Sequence, residues 1–160
     1  MSIEVIRADY KNPQHASDLV TLLGAYALDP MGGGSDLSND VKQNLPLELS
    51  KRPFAFSFLA YFDKSPAGLV NGFEGFSTFK ARPLINIHDI VVHPDYRGKG
   101  ISQNLLEAVE REAKSRKACK ITLEVLSGNA IAQNAYKKFG FNGYELDPTA
   151  GQALFWEKPL

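Results

Sequence analysis

A short basic loop that contains two glycines lies near the middle of this 160-residue chain. The loop, Arg97-Gly98-Lys99-Gly100, follows an apolar run, and from Ser102 the apolar residues recur at helical spacing. A helix that begins here points its unpaired backbone N–H groups and the positive end of its dipole back at the loop. Glycine lets the main chain approach a bound group where a side chain would block it. These residue types predict a main-chain site for an anion such as a pyrophosphate.

Two common phosphate-binding loops do not fit this spacing. A P-loop requires Ser or Thr directly after its Gly-Lys pair, but Gly100 follows Lys99. A dinucleotide-binding fingerprint requires a third glycine three residues after the second, and Gln103 occupies that position. One alternative stays open on these residues alone, namely an ordinary strand-to-helix turn with a routine glycine.

The pattern that remains, Arg97-x-x-Gly100-x-Ser102, resembles the pyrophosphate loop of the GNAT acetyltransferase superfamily, R/Q-x-x-G-x-G/A. Ser102 departs from the last position of that pattern, although serine is small and suits the start of a helix. The resemblance is specific enough to indicate coenzyme A as the bound group.

A second segment resembles the other signature of the superfamily, N-x-x-A-x-x-x-Y followed by G-F. Asn129 and Tyr136 are seven residues apart, so they lie on nearly the same helix face, and Gly140-Phe141 follows. The two signatures occur in the expected order, each after a strand pattern. A purely structural alternative remains for each residue, in which Asn129 only caps the helix and Tyr136 only packs in the core.

The resemblance implies acetyl-CoA as the cofactor. Two adjacent parallel strands, over residues 84–92 and 120–126, would part to admit the pantetheine arm, which would pair with the main chain of the first strand. Loop N–H groups would hold the pyrophosphate, Asn129 would contact the cofactor, and Tyr136 would reach the thioester sulfur. The implied cofactor-binding positions are Ile90, Val91, Val92, Arg97, Gly98, Lys99, Gly100, Ile101, Ser102, Gln103, Asn129 and Tyr136.

Acetylation of an amine requires the neutral amine, whereas an alkyl ammonium has a pKa of about 10.4. A base or a desolvating pocket is therefore expected. Glu124 is the first candidate base because it interrupts a pattern typical of a buried strand, where a carboxylate is costly unless it is paired or used. It also matches the base of the ribosomal-protein N-terminal acetylases, which this segment resembles; the alternative is a structural ion pair.

His88 is the rival candidate, as base or as substrate ligand, because histidine is the side chain most often used as a base near neutral pH. Its neighbour Asp89 is interpreted as a group that orients His88 or a loop N–H. Tyr136 is predicted to act as the acid that protonates the departing thiolate.

The acceptor pocket is predicted between residues 26–36 and 73–82, with Tyr26, Asp29, Phe76 and His88 as substrate contacts. Asp29 would attract a cationic amine, although acidic loop residues are usually only solvated. A primary amine of a small molecule is favoured over a protein N-terminus or lysine. No metal site is predicted.

The order of the patterns, strands first and then alternating strands and helices, predicts an α/β (α+β) domain. The resemblance makes this a GNAT fold with a mixed, mostly antiparallel sheet of about seven strands, a central splay and about four flanking helices. Residues 1–160 are expected to form one domain. The predicted function is direct transfer of acetyl from acetyl-CoA to a primary amine; the alternative is a catalytically silent acyl-CoA sensor or partner-binding module.

Composition and charge limit the classes of binding partner and the cellular compartment that are expected. Eighteen basic residues balance eighteen acidic ones, so no overall field attracts nucleic acid or an anionic membrane. The single cysteine, Cys119, excludes an intramolecular disulfide, and the charged first nine residues do not resemble a secretory signal. A cytoplasmic protein without nucleic-acid or membrane partners is expected, and the habits of the superfamily make a homodimer plausible.

Overall fold

The computed structural model describes residues 1–144 and 146–160, which form one sheet flanked by helices. The strands are β1 (Ile3–Arg7), β2 (Ala55–Phe62), β3 (Ser65–Ser77), β4 (Arg82–Val92) and β5 (Ile121–Leu123). The α-helices are α1 (Pro13–Leu28), α2 (Asn39–Ser50), α3 (Ile101–Ser115) and α4 (Ala130–Phe139). Two 3₁₀ turns lie at Pro30–Gly32 and Pro94–Tyr96. The strands stand in chain order, antiparallel from β1 to β4 and parallel between β4 and β5.

The sheet separates two apolar clusters. Because side chains alternate along a strand, the neighbours Leu69 and Val70 on β3 belong to different clusters. On one face α1 and α2 pack their leucines against β2 and β3, and on the other face α3 packs against β3 and β4. The mixed architecture with helices on both faces confirms the predicted fold class.

Gly68 on β3 sets how closely α3 approaches the sheet. A Cβ atom at this position would lie 2.8 Å from Ile101 Cγ2 and 3.1 Å from Leu105 Cδ1. Both of those side chains are almost fully buried. The absence of a side chain at Gly68 therefore lets the first turn of α3 pack directly on β3.

The expectation of about seven strands is wrong: the described residues form five. In the described parts of the C-terminal segment, residues 140–144 and 146–160, the only strand-type pairing is an isolated bridge at Gln152. A strand forms only where a neighbour accepts and donates its main-chain hydrogen bonds. Residues 153–160 make no such pairing with the described part of the chain, and Phe155 and Trp156 are 73% and 83% exposed.

The predicted splay is present between the two parallel strands. They pair at three positions only, Ile85 with Ile121, Asn86 with Thr122 and Ile87 with Leu123. Beyond these positions β5 ends, whereas β4 runs on to Val92 with only β3 beside it. One main-chain edge of β4 is therefore left unpaired by the sheet. Among the described residues, no helix has both the length and the apolar character needed to cross a membrane.

Candidate active site

The register between β3 and β4 shifts where β4 and β5 part. Asn71 pairs with Asp89 and Gly72 pairs with Ile87, so His88 is an extra residue on β4. Such a β-bulge interrupts the alternation of side chains along a strand. As a result the consecutive residues His88 and Asp89 line the same cavity.

This cavity, which we call the acceptor cavity, has a volume of about 400 Å³ and lies between α1, α2 and the middle of β3 and β4. Its polar lining consists of Tyr26, Asn71, His88 and Asp89. His88 is exposed, and its ring meets the ring of Phe73 edge-on at a centroid distance of 5.7 Å. The remaining lining residues are Leu23, Ala27, Gly32, Leu37, Val41, Leu45, Leu49 and Phe73.

A chain of hydrogen bonds runs from the interior of the sheet to the carboxylate of Asp89. Asn71 Nδ2 donates to Asp89 Oδ2 at 3.0 Å, and Ser57 Oγ donates to Asn71 Oδ1 at 2.6 Å. The hydroxyl of Tyr10 lies 2.8 Å from Ser57 Oγ. Ser57 and Asn71 are buried, and burial raises the pKa of Tyr10, which keeps that phenol protonated. We call Tyr10, Ser57 and Asn71 the orienting chain because they hold the Asp89 carboxylate in place.

The acidic residues of the loop after α1 already have cationic partners. Asp29 pairs with Arg97 at 3.0 Å, and Asp36 pairs with Lys42 at 2.6 Å. A hydrogen bond from the backbone N–H of Met31, together with that of the Arg97 guanidinium, holds the pKa of Asp29 below its usual value. Asp29, a predicted substrate contact, does not line the acceptor cavity.

The loop over residues 97–100 has the left-handed backbone conformation that its two glycines favour. Gly98 and Gly100 have φ values of +76° and +83°, in the left-handed region that favours glycine. Gly100 is the N-cap of α3, and no side chain in the described part of the chain caps this helix. The N–H groups of Ile101 and Ser102 are thus turned toward the loop, whereas that of Gln103 donates to the Gly100 carbonyl at 3.1 Å.

Side chains around the loop make contacts that the sequence did not indicate. Arg97 also donates from Nε to the carbonyl of Val92 at 3.4 Å, so its guanidinium spans two elements. Lys99 Nζ lies 5.0 Å from the centroid of the Phe62 ring. The side chain of Ile101 is buried in the core, and Gln103 Nε2 donates to the carbonyl of Ala135 at 3.1 Å, which links α3 to α4.

On α4 the two signature residues have structural partners. Asn129 Oδ1 accepts a hydrogen bond from Ala132 N at 3.1 Å, which is the capping role left open above. Tyr136 is half-buried, and its ring meets that of Phe141 at 6.0 Å. Burial, with a smaller contribution from the neighbouring phenol of Tyr26, raises the pKa of Tyr136 to about 12. Tyr136 is therefore a proton donor at neutral pH.

Two residues lie elsewhere than their sequence context indicated. Glu124 was expected in a buried strand over residues 120–126, but β5 ends at Leu123 and Glu124 is exposed. The expectation was wrong because β5 pairs with β4 at only three positions and therefore ends before Glu124. Phe76 is 62% exposed and lies outside the lining of the acceptor cavity, whereas Phe73 is part of it.

The sequence indicated only an orienting role for Asp89 and did not indicate Asn71 at all. On a regular strand Asp89 would face away from His88, and only the bulge turns both inward. A larger groove of about 590 Å³ lies between α1 and α2, but none of the predicted site residues lines it.

Comparison with known proteins agrees with this geometry. Residues 22–141 match the acetyltransferase (GNAT) family. The streptothricin acetyltransferase of Streptomyces lavendulae is 38% identical over 80 residues, which are 50% of this chain and 42% of that protein. The thialysine N-epsilon-acetyltransferase of Bos taurus is 37% identical over 65 residues, 41% of this chain and 38% of that protein. The matched segments thus span less than half the length of these curated relatives.

Solved structures show the same fold at lower sequence identity. An aminoglycoside acetyltransferase from an uncultured soil metagenomic sample, in complex with sisomicin, superposes with a TM-score of 0.78 at 15% identity, covering 99% of this chain and 96% of that one. Aminoglycoside N-acetyltransferase AAC(6')-Iy in complex with CoA superposes with a TM-score of 0.76 at 18% identity, over 99% and 96% of the two chains. Because the family match includes both signature segments and the parted strands, this chain belongs to the acetyltransferase (GNAT) family.

Proposed function

We propose that this protein transfers the acetyl group of acetyl-CoA to a primary amine of a small molecule. The observation that carries the proposal is the position of the β4 bulge. It brings His88 and Asp89 into the acceptor cavity directly beside the stretch of β4 that β5 leaves unpaired. A cofactor along that edge would present its thioester to an amine in the cavity.

The cofactor would use main-chain groups for most of its contacts. The pantetheine arm would pair with the free edge of β4 at Ile90, Val91 and Val92, and the diphosphate would accept from N–H groups between Gly98 and Ser102. This division of roles fits the structure because the Ile101 side chain is buried and Arg97 is paired with Asp29. The names of the matched relatives agree with acetylation as the reaction.

In the proposed reaction, the ammonium group loses a proton to the base, the neutral nitrogen attacks the thioester carbonyl carbon, and the C–S bond breaks. The nitrogen then gives up a second proton, which replaces the proton that the departing thiolate takes. His88 is the favoured base, because it lines the acceptor cavity whereas Glu124 is exposed outside it. Tyr136 would donate its proton to the departing thiolate, for which its raised pKa suits it. Cys119 does not line the cavity, which fits direct transfer without an acyl-enzyme.

The test is thiol release from acetyl-CoA with a panel of small primary amines, together with calorimetry of acetyl-CoA binding. We expect amine-dependent release, reduced about 10²-fold by His88→Gln and little changed by the matched variant Glu124→Gln. Binding of acetyl-CoA without release for any amine would instead establish the silent acyl-CoA-binding module. Equal rates for both variants and the parent protein would remove His88 as the base.

A further inference from the structure

The acceptor cavity contains one carboxylate among its lining residues, that of Asp89. We infer that the acceptor is an amphiphilic monoamine, whose single ammonium group binds at Asp89 and whose apolar body fills the rest of the cavity. This inference rests on the proposed function and names the class of its substrate.

The orienting chain supports Asp89 as the ammonium-binding group. Asn71 donates a hydrogen bond to Asp89 Oδ2, and Asn71 itself accepts a hydrogen bond from the fully buried Ser57. No Lys, Arg or His nitrogen in the described residues lies within ion-pair distance of Asp89. The carboxylate is thus held in one orientation and still lacks a cationic partner, which an ammonium group would supply.

A second ammonium group would find no such partner in the cavity. Asp29 and Asp36, the acidic residues of the adjoining loop, are already paired with Arg97 and Lys42. An unpaired charge moved from water to an apolar wall is strongly unfavourable. The wall that such a charge would meet is formed by Leu23, Leu37, Val41, Leu45, Leu49 and Phe73.

The inferred substrate class differs from the ligand of the structural neighbour that was solved with sisomicin. Aminoglycosides carry several ammonium groups, and each one placed against the apolar wall of the cavity would need its own carboxylate. The acceptor cavity offers one, so we expect it to disfavour polycations although the fold is shared.

The test compares hexylamine with 1,6-diaminohexane, which differ by one terminal ammonium group on the same carbon chain. Thiol release from acetyl-CoA should give a kcat/KM at least about tenfold higher for hexylamine, because the second ammonium group of the diamine would lie against the apolar wall without a carboxylate partner. An equal or higher value for the diamine, or release confined to polycations such as spermidine, would overturn the inference and leave the proposed function standing. No release with any amine would remove both.

Two variants of α2 give a matched control. Val41 lines the cavity in the first turn of α2, where an acidic residue suits the helix dipole, so Val41→Asp should fold. It should raise kcat/KM for 1,6-diaminohexane about tenfold. Leu47→Asp places the same charge on an exposed position outside the cavity and should leave both amines unchanged. An equal response of the diamine to both variants would contradict the inference.

Discussion

The phenol of Tyr136 is protonated throughout the neutral and mildly alkaline range, because burial raises its pKa to about 12. A phenol in this state can donate a proton but cannot serve as a base. Its position on α4, near Tyr26 of the acceptor cavity, suits transfer of that proton to a thiolate leaving from the edge of β4.

We predict that Tyr136→Phe lowers kcat by about 10²-fold and leaves the affinity for acetyl-CoA nearly unchanged. The fold decrease in kcat should be the same at pH 7 and pH 9, since the phenol loses its proton only at a pH near 12. Thiol-release kinetics and calorimetry measure the two quantities. Tyr144→Phe, at a side chain that is 58% exposed, serves as the control. An unchanged kcat would exclude Tyr136 from the reaction.

Ser57 acts on the site only through Asn71, so it is a positioning residue. Ser57→Ala leaves Asn71 Oδ1 and the Tyr10 hydroxyl without their partner and should lower the free energy of unfolding by about 1–3 kcal/mol. Because Asp89 loses its fixed orientation, KM for hexylamine should rise severalfold while the Kd of acetyl-CoA stays constant.

The matched control is Ser77→Ala, which removes another buried hydroxyl on the neighbouring strand. Within the described part of the chain, the side chain of Ser77 accepts a hydrogen bond only from the backbone N–H of Lys80. Ser77→Ala should affect stability but not KM. If Ser57→Ala lowered the melting temperature without any change in KM for the amine, its role would be structural alone.

At the scale of elements, the start of α3 depends on backbone conformation and on close packing together. Gly100 supplies the left-handed residue that turns the chain into the helix, and Gly68 lets the buried first turn lie against β3. The first-turn N–H groups are therefore held in place from two sides, which a site built from main-chain donors requires.

We predict that Gly100→Ala weakens acetyl-CoA binding about tenfold. A Cβ here meets no atom within 4 Å, so the change acts through the φ of +83°, which costs a non-glycine residue about 1–2 kcal/mol. Calorimetric titration with acetyl-CoA measures the effect. Gly128→Ala, equally unobstructed and without a positive φ, should bind as the parent protein does; equal weakening in both variants would contradict the explanation.

At the scale of the whole molecule, a group of charges ties three elements together. Glu112 of α3 accepts from Arg7 of β1 at 2.7 Å and from Arg116 at 2.8 Å, and Arg116 also reaches Glu74 of β3 at 3.3 Å. Burial alone would raise the pKa of Glu112, but the hydrogen bonds from both arginines outweigh it and hold the pKa below its usual value.

A lowered carboxyl pKa in the folded state adds stability above the unfolded pKa of about 4.3, and this contribution is lost as the pH falls. Glu112→Gln should therefore lower the free energy of unfolding at pH 7 by about 1–2 kcal/mol and have a smaller effect near pH 3. Urea denaturation at both pH values measures this. Glu110→Gln removes an exposed pair with Lys114 and should change little at either pH; a Glu112 effect independent of pH would contradict the assignment.

Local features of this protein follow from the sequence alone. The glycines at 98 and 100 determined the turn, and the spacing of Leu105, Leu106 and Val109 determined the buried face of α3. Both are local, because turn conformation and helical periodicity depend on residues within a few positions of one another. The order of strands and helices, and with it the fold class, follows from the same local patterns.

The acceptor site was decided by tertiary structure. The bulge that turns Asp89 beside His88 depends on the register between two strands, the pairing of Asp29 with Arg97 joins residues 68 positions apart, and Glu124 is exposed because β5 ends early. Register, long-range ion pairs and strand ends depend on which distant segments meet, and periodicity carries no information about that. For this reason the backbone conformation of the loop over residues 97–100 could be predicted from the sequence, whereas the charge and lining of the acceptor cavity required the folded chain.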